Sequence, residues 1–285
     1  MNARSHPPVV ATVLDRIAVE TGGAALPPLA AADAAALAAA CGPDAGRLKR
    51  WIKRRLAGEP LAYILGTVNF RGRQFRLDKR AFITDPETSL LVDAVCARID
   101  RFTARHGRAP LVAEVVCVNG CLGLSVELER PAVTLVGLEL DADALAVAKL
   151  NAAEHAVDVH LVESDLFDAW PLPTAPDLIF ADPPWGSAET LYDPARDAAH
   201  YHAMPAASAF PLGGITGAHA QILRAVAGRR WSSEIWLNAG VLPPAAVATV
   251  ARDVQADECE IIQPTPELSL LRCRLFAARE LAERK

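Results

Sequence analysis

Aromatic residues are scarce in this chain: they make up 6% of its 285 residues, although 52% of the residues are hydrophobic. Because alanine dominates the hydrophobic residues, this composition favours helices packed through small side chains and argues against a β-sandwich. No apolar run approaches the length of a membrane span, and residues 1–8 contain no apolar signal core. We therefore expect a cytoplasmic protein, and its length predicts two domains.

The spacing of the six cysteines shows no paired framework. Cys117 and Cys121 are close in sequence, but no second pair and no nearby histidine completes a zinc site. We therefore expect no metal ion, and we expect the cysteines to be free thiols in a reducing cytoplasm.

Net positive charge is absent as well: the formal net charge is −5 at pH 7, which argues against a broad nucleic-acid surface. One predicted helix is an exception because it is rich in basic residues. For this basic cluster we favour a solvated helix face; a docking surface for an acidic protein or for RNA is the alternative. The basic cluster consists of Arg47, Lys49, Arg50, Lys53, Arg54 and Arg55.

Two patterns follow one another along the chain. Residues 9–57 predict helices separated by Gly-Gly and Pro-Pro breaks, and residues 70–77 predict a hairpin. From Leu111 onward strands and helices alternate, which is typical of an α/β fold with a doubly wound, mostly parallel sheet. We place the domain boundary near residue 80, which gives domains at 1–80 and 81–285. Strands are predicted at 112–118, 133–138, 159–163, 178–181 and 235–238, with a terminal pair near Glu260 and at 270–276. The segment 186–215 shows no regular pattern, and we expect a long functional loop there.

Residues 177–187 read DLIFADPPWGS and carry the strongest functional signal. The run 178–181 predicts a buried strand, and two prolines then force a stiff turn at its carboxyl end, where ligands bind in open α/β sheets. Prolines leave carbonyl groups unpaired and Asp182 adds a carboxylate, so two acceptors could hold an incoming NH2 group. Trp185 offers a flat face for stacking on a planar amide or base. The alternative for this DPPW turn (182–185) is a structural loop whose tryptophan fills a gap in the core.

A nucleotide cofactor in such a sheet lies over the end of the first strand, where a glycine-rich turn lets the backbone come close. Residues 117–123, which read CVNGCLG, occupy that place and form the predicted cofactor turn. Glu139 follows the second strand at the spacing of an acid that binds ribose hydroxyls. Asp165 follows the third strand, where it could contact adenine. Their shared position at strand ends predicts a nucleotide cofactor.

Besides the DPPW turn and the cofactor turn, the chain contains GEPLAYILG at 58–66, FITDPET at 82–88, a predicted helix at 141–148, residues 205–217, and LNAG at 237–240. These blocks resemble the HemK/PrmC protein-glutamine methyltransferases, in the same order along nearly the whole chain, and LNAG is similar to a strand ending in E-x-G. Those enzymes methylate the glutamine of the Gly-Gly-Gln loop in peptide-chain release factors. The DPPW turn also resembles the catalytic loop of amino-group methyltransferases that use S-adenosylmethionine.

The resemblance implies a Rossmann-like class I methyltransferase domain at 81–285 and a small N-terminal helical domain at 1–80 that docks the substrate. It implies S-adenosylmethionine as cofactor. It also implies a protein substrate, by default a release factor or another translation protein, methylated on a side-chain amide or amino nitrogen. The catalytic residues it implies are Asp182, Pro183, Pro184 and Trp185, with the nitrogen held by Asp182 and the Pro183 carbonyl. The cofactor-binding residues it implies are Cys117, Asn119, Gly120, Gly123, Glu139, Leu140, Asp165, Leu166 and Asp182.

The cofactor turn departs from the family pattern D-L-G-T-G-S-G. Cys117 stands in place of the acid, which removes a partner for the cofactor's charged amino group. Asn119 and Cys121 stand in place of glycines, and a Cβ at a position with positive φ costs about 1–3 kcal/mol. Gly123 keeps its place, whereas Gly120 falls where the family has threonine or cysteine.

Two further departures concern charge. Asp85 stands in place of an arginine in the second block, and Asp182 stands in place of the asparagine in the catalytic loop. Because an ionised aspartate only accepts hydrogen bonds, it suits an adenine amine or an alkylamine better than a glutamine amide. We therefore expect an acceptor other than the release-factor loop.

Two other functions stay open. One is a pseudo-enzyme that lost cofactor binding and serves as an interaction subunit, unless a partner protein completes the cofactor site. The other is an RNA or DNA amino-group methyltransferase that uses the DPPW turn. A stable complex with a dedicated protein would favour the first, and salt-dependent RNA binding would favour the second.

Overall fold

The computed structural model describes residues 6–22, 25–189, 198–256, 258–266 and 268–275. The chain divides into two compact units, Met1–Val68 and Asn69–Lys285. Among the described residues, no helix is both long enough and apolar enough to span a bilayer.

The first unit is a small helical bundle with its own core, in which Val13, Leu37 and Ile52 are buried. Asp44 begins the third helix, because its side chain accepts a hydrogen bond from the backbone N–H of Arg47 at 2.8 Å. The helices are α1 (Pro8–Glu20), α2 (Ala31–Cys41), α3 (Ala45–Leu56) and α4 (Leu61–Leu65).

The basic cluster lies on α3, and most of its side chains have partners within the first unit. Lys49 and Lys53 pair with Glu20, and Arg47 donates to the backbone oxygen of Cys41. The other two pairs join Arg54 to Glu59 and Arg55 to Asp33, each at 2.7 Å. These pairs support the interpretation of the cluster as a solvated helix face.

The second unit is built on a seven-stranded sheet with the order β5-β4-β3-β6-β7-β9-β8. The first five of these strands in the sheet order pair in parallel, and β9 runs antiparallel to both of its neighbours. β1 and β2 form a separate two-stranded sheet. The division between the two units falls within β1. The strands are β1 (Thr67–Phe70), β2 (Arg73–Arg76), β3 (Leu111–Val115), β4 (Thr134–Glu139), β5 (His160–Glu163), β6 (Leu178–Ala181), β7 (Ser233–Gly240), β8 (Glu258–Thr265) and β9 (Leu268–Leu275).

Helices cover this sheet and connect its parallel strands. Leu223 of one helix and Val247 of another are buried with Ile179 of β6 and Leu237 of β7 in the main core. Because the parallel strands end at one edge, the turns after β3, β4 and β6 are brought side by side. The helices are α5 (Ser89–His106), α6 (Cys121–Glu129), α7 (Ala142–Glu154), α8 (Ala198–His202), α9 (Ala206–Ala209), α10 (Gly217–Arg229) and α11 (Pro244–Asp253).

Three predicted features need correction. The first central strand was expected at 112–118 but ends at Val115, because the next residues leave the extended region. The segment 186–215, expected to lack regular structure, contains α8 and α9, while 190–197 lie outside the described residues. The expectation of free thiols is wrong for Cys259 and Cys273, which face each other across β8 and β9 and form a disulfide.

Candidate functional site

A pocket lies at the carboxyl ends of β3 and β6 and brings together the cofactor turn and the DPPW turn. β6 pairs with β3 in the central part of the sheet, with Ala181 opposite Val115, so the two turns leave the sheet next to one another. Six of the residues expected to form the site line this pocket: Cys117, Asn119, Asp182, Pro183, Pro184 and Trp185.

The side chain of Asn238 orients Asp182. The family resemblance included Asn238 only as part of the block LNAG at 237–240. The Oδ1 of Asp182 accepts a hydrogen bond from Nδ2 of Asn238 at 2.7 Å. The Oδ1 of Asn238 accepts from the backbone N–H of Gly240 at 2.8 Å. Because that backbone N–H can only donate, the Asn238 amide has one orientation, and its NH2 group faces the Asp182 carboxylate.

His219 of α10 contacts the backbone of Asn238, the residue that orients Asp182. Its Nε2 lies 2.7 Å from the backbone oxygen of Asn238, and the side chain is 1% exposed. Burial lowers the pKa of His219 to about 4, although the hydrogen bond to Asn238 opposes the shift. The imidazole is therefore neutral near pH 7, and it carries its proton on Nε2, because a carbonyl oxygen only accepts.

Trp185 lies against the end of β7 as well as lining the pocket. A Cβ on Gly240 would come within 3.0 Å of the indole Nε1 and closer still to two ring carbons. The ring is partly buried against the main core. Core packing and pocket lining, given as alternatives by the sequence, are thus both observed for this side chain.

The cofactor turn has a conformation that the glycine pattern did not predict. Left-handed φ angles occur at Val116 (61°), Val118 (51°) and Gly120 (79°). Asn119 and Cys121, which replace the family's glycines, are not among the residues with positive φ. The expected conformational cost therefore falls on Val116 and Val118 and not on Asn119 and Cys121. Positive φ is rare for β-branched residues such as valine.

Asn119 carries a buried donor without a partner. Its Oδ1 accepts from the backbone N–H of Cys121 at 3.1 Å and from Oγ1 of Thr84 at 3.2 Å. The Nδ2 is buried and has no hydrogen-bond partner among the described residues, although the side chain is only 1% exposed. A donor left in this state costs about 1–3 kcal/mol, so it indicates a place for an acceptor atom of a ligand.

Glu114 is the residue that sequence reasoning missed. It lies inside β3, lines the pocket and is 3% exposed. The backbone N–H of Gly123 donates to its carboxyl group, and a Cβ on Gly123 would overlap with that group. Burial raises the pKa of Glu114 well above its ordinary value, and the nearby carboxylates of Glu139 and Asp182 raise it further. The sequence signal that could have identified Glu114 is a single acid within the otherwise apolar run 111–116.

The thiols of the cofactor turn cannot replace the missing acid. Burial raises the pKa of Cys117 well above its ordinary value, and the carboxyl groups of Glu114 and Glu139 add to the shift. Burial likewise raises the pKa of Cys121 to about 12. Both thiols are therefore protonated near pH 7 and neither is a counter-charge or a nucleophile.

The remaining expected cofactor residues are outside the lining of this pocket. Gly120 and Gly123 belong to the start of α6, and the other four lie at neighbouring strand ends. Glu139 is buried, and its carboxylate accepts from the backbone N–H groups of Val118 at 2.8 Å and Asp141 at 3.0 Å. It therefore ties the end of β4 to the cofactor turn. Leu140 is 65% exposed, and Asp165 and Leu166 follow β5. Gly120 is the N-cap residue of α6.

Comparison with known proteins identifies similar sequences and folds. Residues 83–198 match the methyltransferase small domain family. The chain is 36% identical over 140 residues to a release factor glutamine methyltransferase of Neisseria gonorrhoeae, which covers 49% of each protein. It is 31% identical over 145 residues to a 4-amino-L-phenylalanine/4-methylamino-L-phenylalanine methyltransferase of Streptomyces pristinaespiralis, which covers 50% of this chain and 49% of that protein. The chain thus spans about half the length of the curated relatives it matches.

Two solved structures show the same fold. The catalytic domain of hMettl16, bound to an RNA hairpin, has a TM-score of 0.53 at 12% identity, over 71% of this chain and 75% of that one. A 16S rRNA methyltransferase of T. Thermophilus, bound to AdoMet and guanosine, has a TM-score of 0.51 at 17% identity, over 73% of this chain and 49% of that one. The predicted fold, a Rossmann-like class I methyltransferase domain, is confirmed, and so is the resemblance to the HemK/PrmC proteins over about half the chain.

Proposed function

On the premise that residues 83–198 form a methyltransferase small domain related to the HemK/PrmC enzymes, we propose that this protein is an S-adenosylmethionine-dependent N-methyltransferase. It acts on a side-chain amide or amino nitrogen of a protein substrate. The observation that carries the proposal is that the DPPW turn and the cofactor turn line one pocket. The proposed sites for the acceptor and for the methyl donor would therefore be adjacent.

The chain's own residues fit the cofactor. The unpartnered Nδ2 of Asn119 offers a donor, and Glu139 lies at the end of β4, where an acid would hold the ribose hydroxyls. Asp165 and Leu166 after β5, with the exposed Leu140, would contact the adenine ring. Gly120 and Gly123 act indirectly, since one caps α6 and the other leaves room for Glu114.

The DPPW turn would orient the acceptor. S-adenosylmethionine supplies an electrophilic methyl group on its sulfonium sulfur. Asp182 and the Pro183 carbonyl would accept hydrogen bonds from the N–H groups of the acceptor, Pro184 stiffens the turn, and Trp185 would stack on the acceptor's planar group. Asn238 holds the Asp182 carboxylate in place, so alignment of the nitrogen lone pair is the main source of rate and no covalent intermediate is needed.

Two acceptors are supported, one by the relatives and one by the charge of the pocket. Several relatives are named release factor glutamine methyltransferases, which supports a protein glutamine as the default acceptor. The second candidate is an amine, because Asp182 only accepts hydrogen bonds and the NH2 group of Asn238 already faces it. The Streptomyces relative, which is named for an aromatic amine, supports this candidate.

The test is transfer of tritium from methyl-labelled S-adenosylmethionine to a release factor and, separately, to 4-amino-L-phenylalanine. We expect the wild type to label one acceptor, and Asp182→Ala to lower kcat by about 100-fold, because it removes an acceptor that positions the nitrogen. Asp168→Asn, which alters an exposed acid that does not line the pocket, is the matched control. Full activity of Asp182→Ala would exclude this role of the DPPW turn.

A further inference from the structure

Asn151 of α7 is a buried polar residue to which the proposed chemistry gives no role. Its side chain is 0% exposed, and both of its polar atoms are bonded to backbone groups. Oδ1 accepts from the N–H of Arg76 at 2.6 Å, and Nδ2 donates to the carbonyl oxygens of Arg76 at 3.1 Å and Asn119 at 2.8 Å. Because a buried amide is costly unless it is paired, these bonds fix the side chain on two sides.

On one side Asn151 holds the last residue of β2, a strand of the second unit. By exchanging two hydrogen bonds with the backbone of Arg76, its amide takes the place of a neighbouring strand. Glu154 pairs with the Arg76 side chain at 2.6 Å, and Nε2 of His155 lies 3.0 Å from the backbone oxygen of Gln74. Positions 151, 154 and 155 share one face of a helix, so β2 is docked on this face of α7.

On the other side Asn151 holds the backbone of the cofactor turn. The residue whose carbonyl it binds, Asn119, lies between Val118 and Gly120, which both have left-handed φ angles. α7 approaches the turn at a second point as well, because a Cβ on Gly120 would lie 3.3 Å from the Cβ of Ala148. Two positions on one face of α7 therefore meet the cofactor turn.

The strained backbone of the cofactor turn needs this support. A valine with left-handed φ costs about 1–3 kcal/mol and persists only where neighbouring contacts fix it. Two side chains supply such contacts: Glu139 accepts from the N–H of Val118 at 2.8 Å, and Asn151 donates to the carbonyl of Asn119. Because the turn lines the pocket, loss of such a contact would let it relax away from the conformation that receives the cofactor.

We propose that Asn151 is a positioning residue that couples β2 to the cofactor turn. The backbone of Arg76 fixes the amide of Asn151, and the amide fixes the Asn119 carbonyl in the conformation that binds the cofactor. This inference rests on the proposed function. Asn151 lies outside the pocket lining, so it acts on cofactor affinity and not on the transfer step, for which the DPPW turn aligns the acceptor.

The first experiment is calorimetric titration of the full chain with S-adenosylhomocysteine. Asn151→Asp keeps an acceptor for the Arg76 N–H but replaces the donor to the two carbonyl groups. We expect its dissociation constant to be at least about tenfold higher than that of the wild type, because the binding conformation of the turn is less populated. Glu154→Gln, which weakens only the exposed ion pair with Arg76, is the matched control and should bind as the wild type does.

Tritium transfer to the acceptor that the wild type labels separates positioning from general loosening of the fold. For Asn151→Asp we expect the KM for S-adenosylmethionine to rise at least about tenfold, and kcat at saturating cofactor to stay within about twofold of the wild type. Loosening that reaches the DPPW turn would lower kcat instead. Urea unfolding shows that each variant is folded.

A double-mutant cycle tests the coupling to β2. Arg76→Pro removes the N–H that binds Asn151, and a proline is tolerated there because this N–H does not bond to the neighbouring strand. Arg76→Ala keeps the N–H and is the matched control. We expect Arg76→Pro to raise the dissociation constant about fivefold or more in the wild type, but less than about twofold in Asn151→Asp, which has already lost the connection to the turn.

The outcomes separate this inference from the proposed function. Wild-type affinity of Asn151→Asp for S-adenosylhomocysteine, a lowered kcat at saturating cofactor, or fully additive effects of the two substitutions would each overturn the inference while the proposed function stands. If the wild type binds neither S-adenosylhomocysteine nor S-adenosylmethionine, the proposed function itself fails. If either Asn151→Asp or Arg76→Pro does not fold, the affinity and kcat of the other variant decide.

Discussion

Acidification should destabilise the second unit through His219. The pKa of this buried imidazole is lowered from 6.5 to about 4, so the unfolded chain binds a proton more readily than the folded one between these values. Stability that is present above pH 6.5 is therefore lost as the pH falls toward 4. At about 1.4 kcal/mol per pH unit, the full effect is about 3 kcal/mol, of which about 2 kcal/mol appears between pH 7 and pH 5.

Urea unfolding at pH 7 and pH 5 measures this effect. His219→Gln keeps an N–H group that can reach the Asn238 carbonyl but does not titrate. We expect the wild type to lose about 2 kcal/mol more of its unfolding free energy than this variant between the two pH values. Carboxyl groups titrate in both proteins and cancel in the comparison. His160→Gln, at an exposed position of β5, should follow the wild type. Equal pH dependence in the wild type and His219→Gln would refute the reasoning.

Three further predictions concern the packing and charge of the second unit. Gly240→Ala should lower the unfolding free energy by about 1–3 kcal/mol and slow methyl transfer, because the new methyl group would overlap with Trp185. Thermal unfolding and tritium-transfer assays measure the two effects. Gly228→Ala is the control, since its methyl group would meet no atom within 4 Å. Glu114→Gln should stabilise the ligand-free protein relative to wild type as the pH rises above about 4.5. The reason is that the folded pKa of the Glu114 carboxyl is raised, so the wild type loses stability in that direction. Parallel plots of unfolding free energy against pH for the two proteins, measured in urea from pH 4 to pH 8, would contradict this. Glu234→Ala should cost about 3–5 kcal/mol in urea unfolding, because three arginine side chains pair with this buried carboxylate; a cost below about 1 kcal/mol would contradict it.

The pair formed by Asp182 and Asn238 gives a physical account of two departures from the HemK/PrmC pattern. The resemblance implies an amide at 182 and an acid at 238, whereas this chain has an acid at 182 and an amide at 238. The two side chains are hydrogen-bonded at 2.7 Å, so the site keeps one amide and one carboxylate with their places exchanged. The exchange places the carboxylate in the DPPW turn, which is consistent with an acceptor that donates N–H groups.

Local patterns predicted the parts of the fold that depend on local order. The run 178–181 was predicted as a strand and forms β6, in which all four residues are buried and which lies between β3 and β7. The alternation after Leu111 likewise predicted the parallel sheet. The cofactor turn and the DPPW turn meet because of the order of the strands. That order is a property of the fold class, and no single segment of the sequence predicts it.

Features that depend on tertiary contacts were not predictable in the same way. The end of β3 was missed because the left-handed φ of Val116 is imposed by the turn and opposes the preference of a β-branched residue. Glu114 was read as part of a strand, because its importance depends on Gly123 lying opposite in α6. The disulfide of Cys259 and Cys273 depends on the register of β8 and β9, which sequence spacing does not reveal.

The most direct test of the central claim is calorimetric titration of the purified protein with S-adenosylmethionine, alongside Asp182→Ala. We predict micromolar binding by both proteins, because in the proposed site the cofactor turn, and not the Asp182 carboxylate, would provide most of the cofactor contacts. At 100 times the dissociation constant, the cofactor should raise the unfolding free energy by about 2.7 kcal/mol. No heat of binding together with no thermal stabilisation at saturating cofactor would contradict the account and favour a pseudo-enzyme that serves as an interaction subunit.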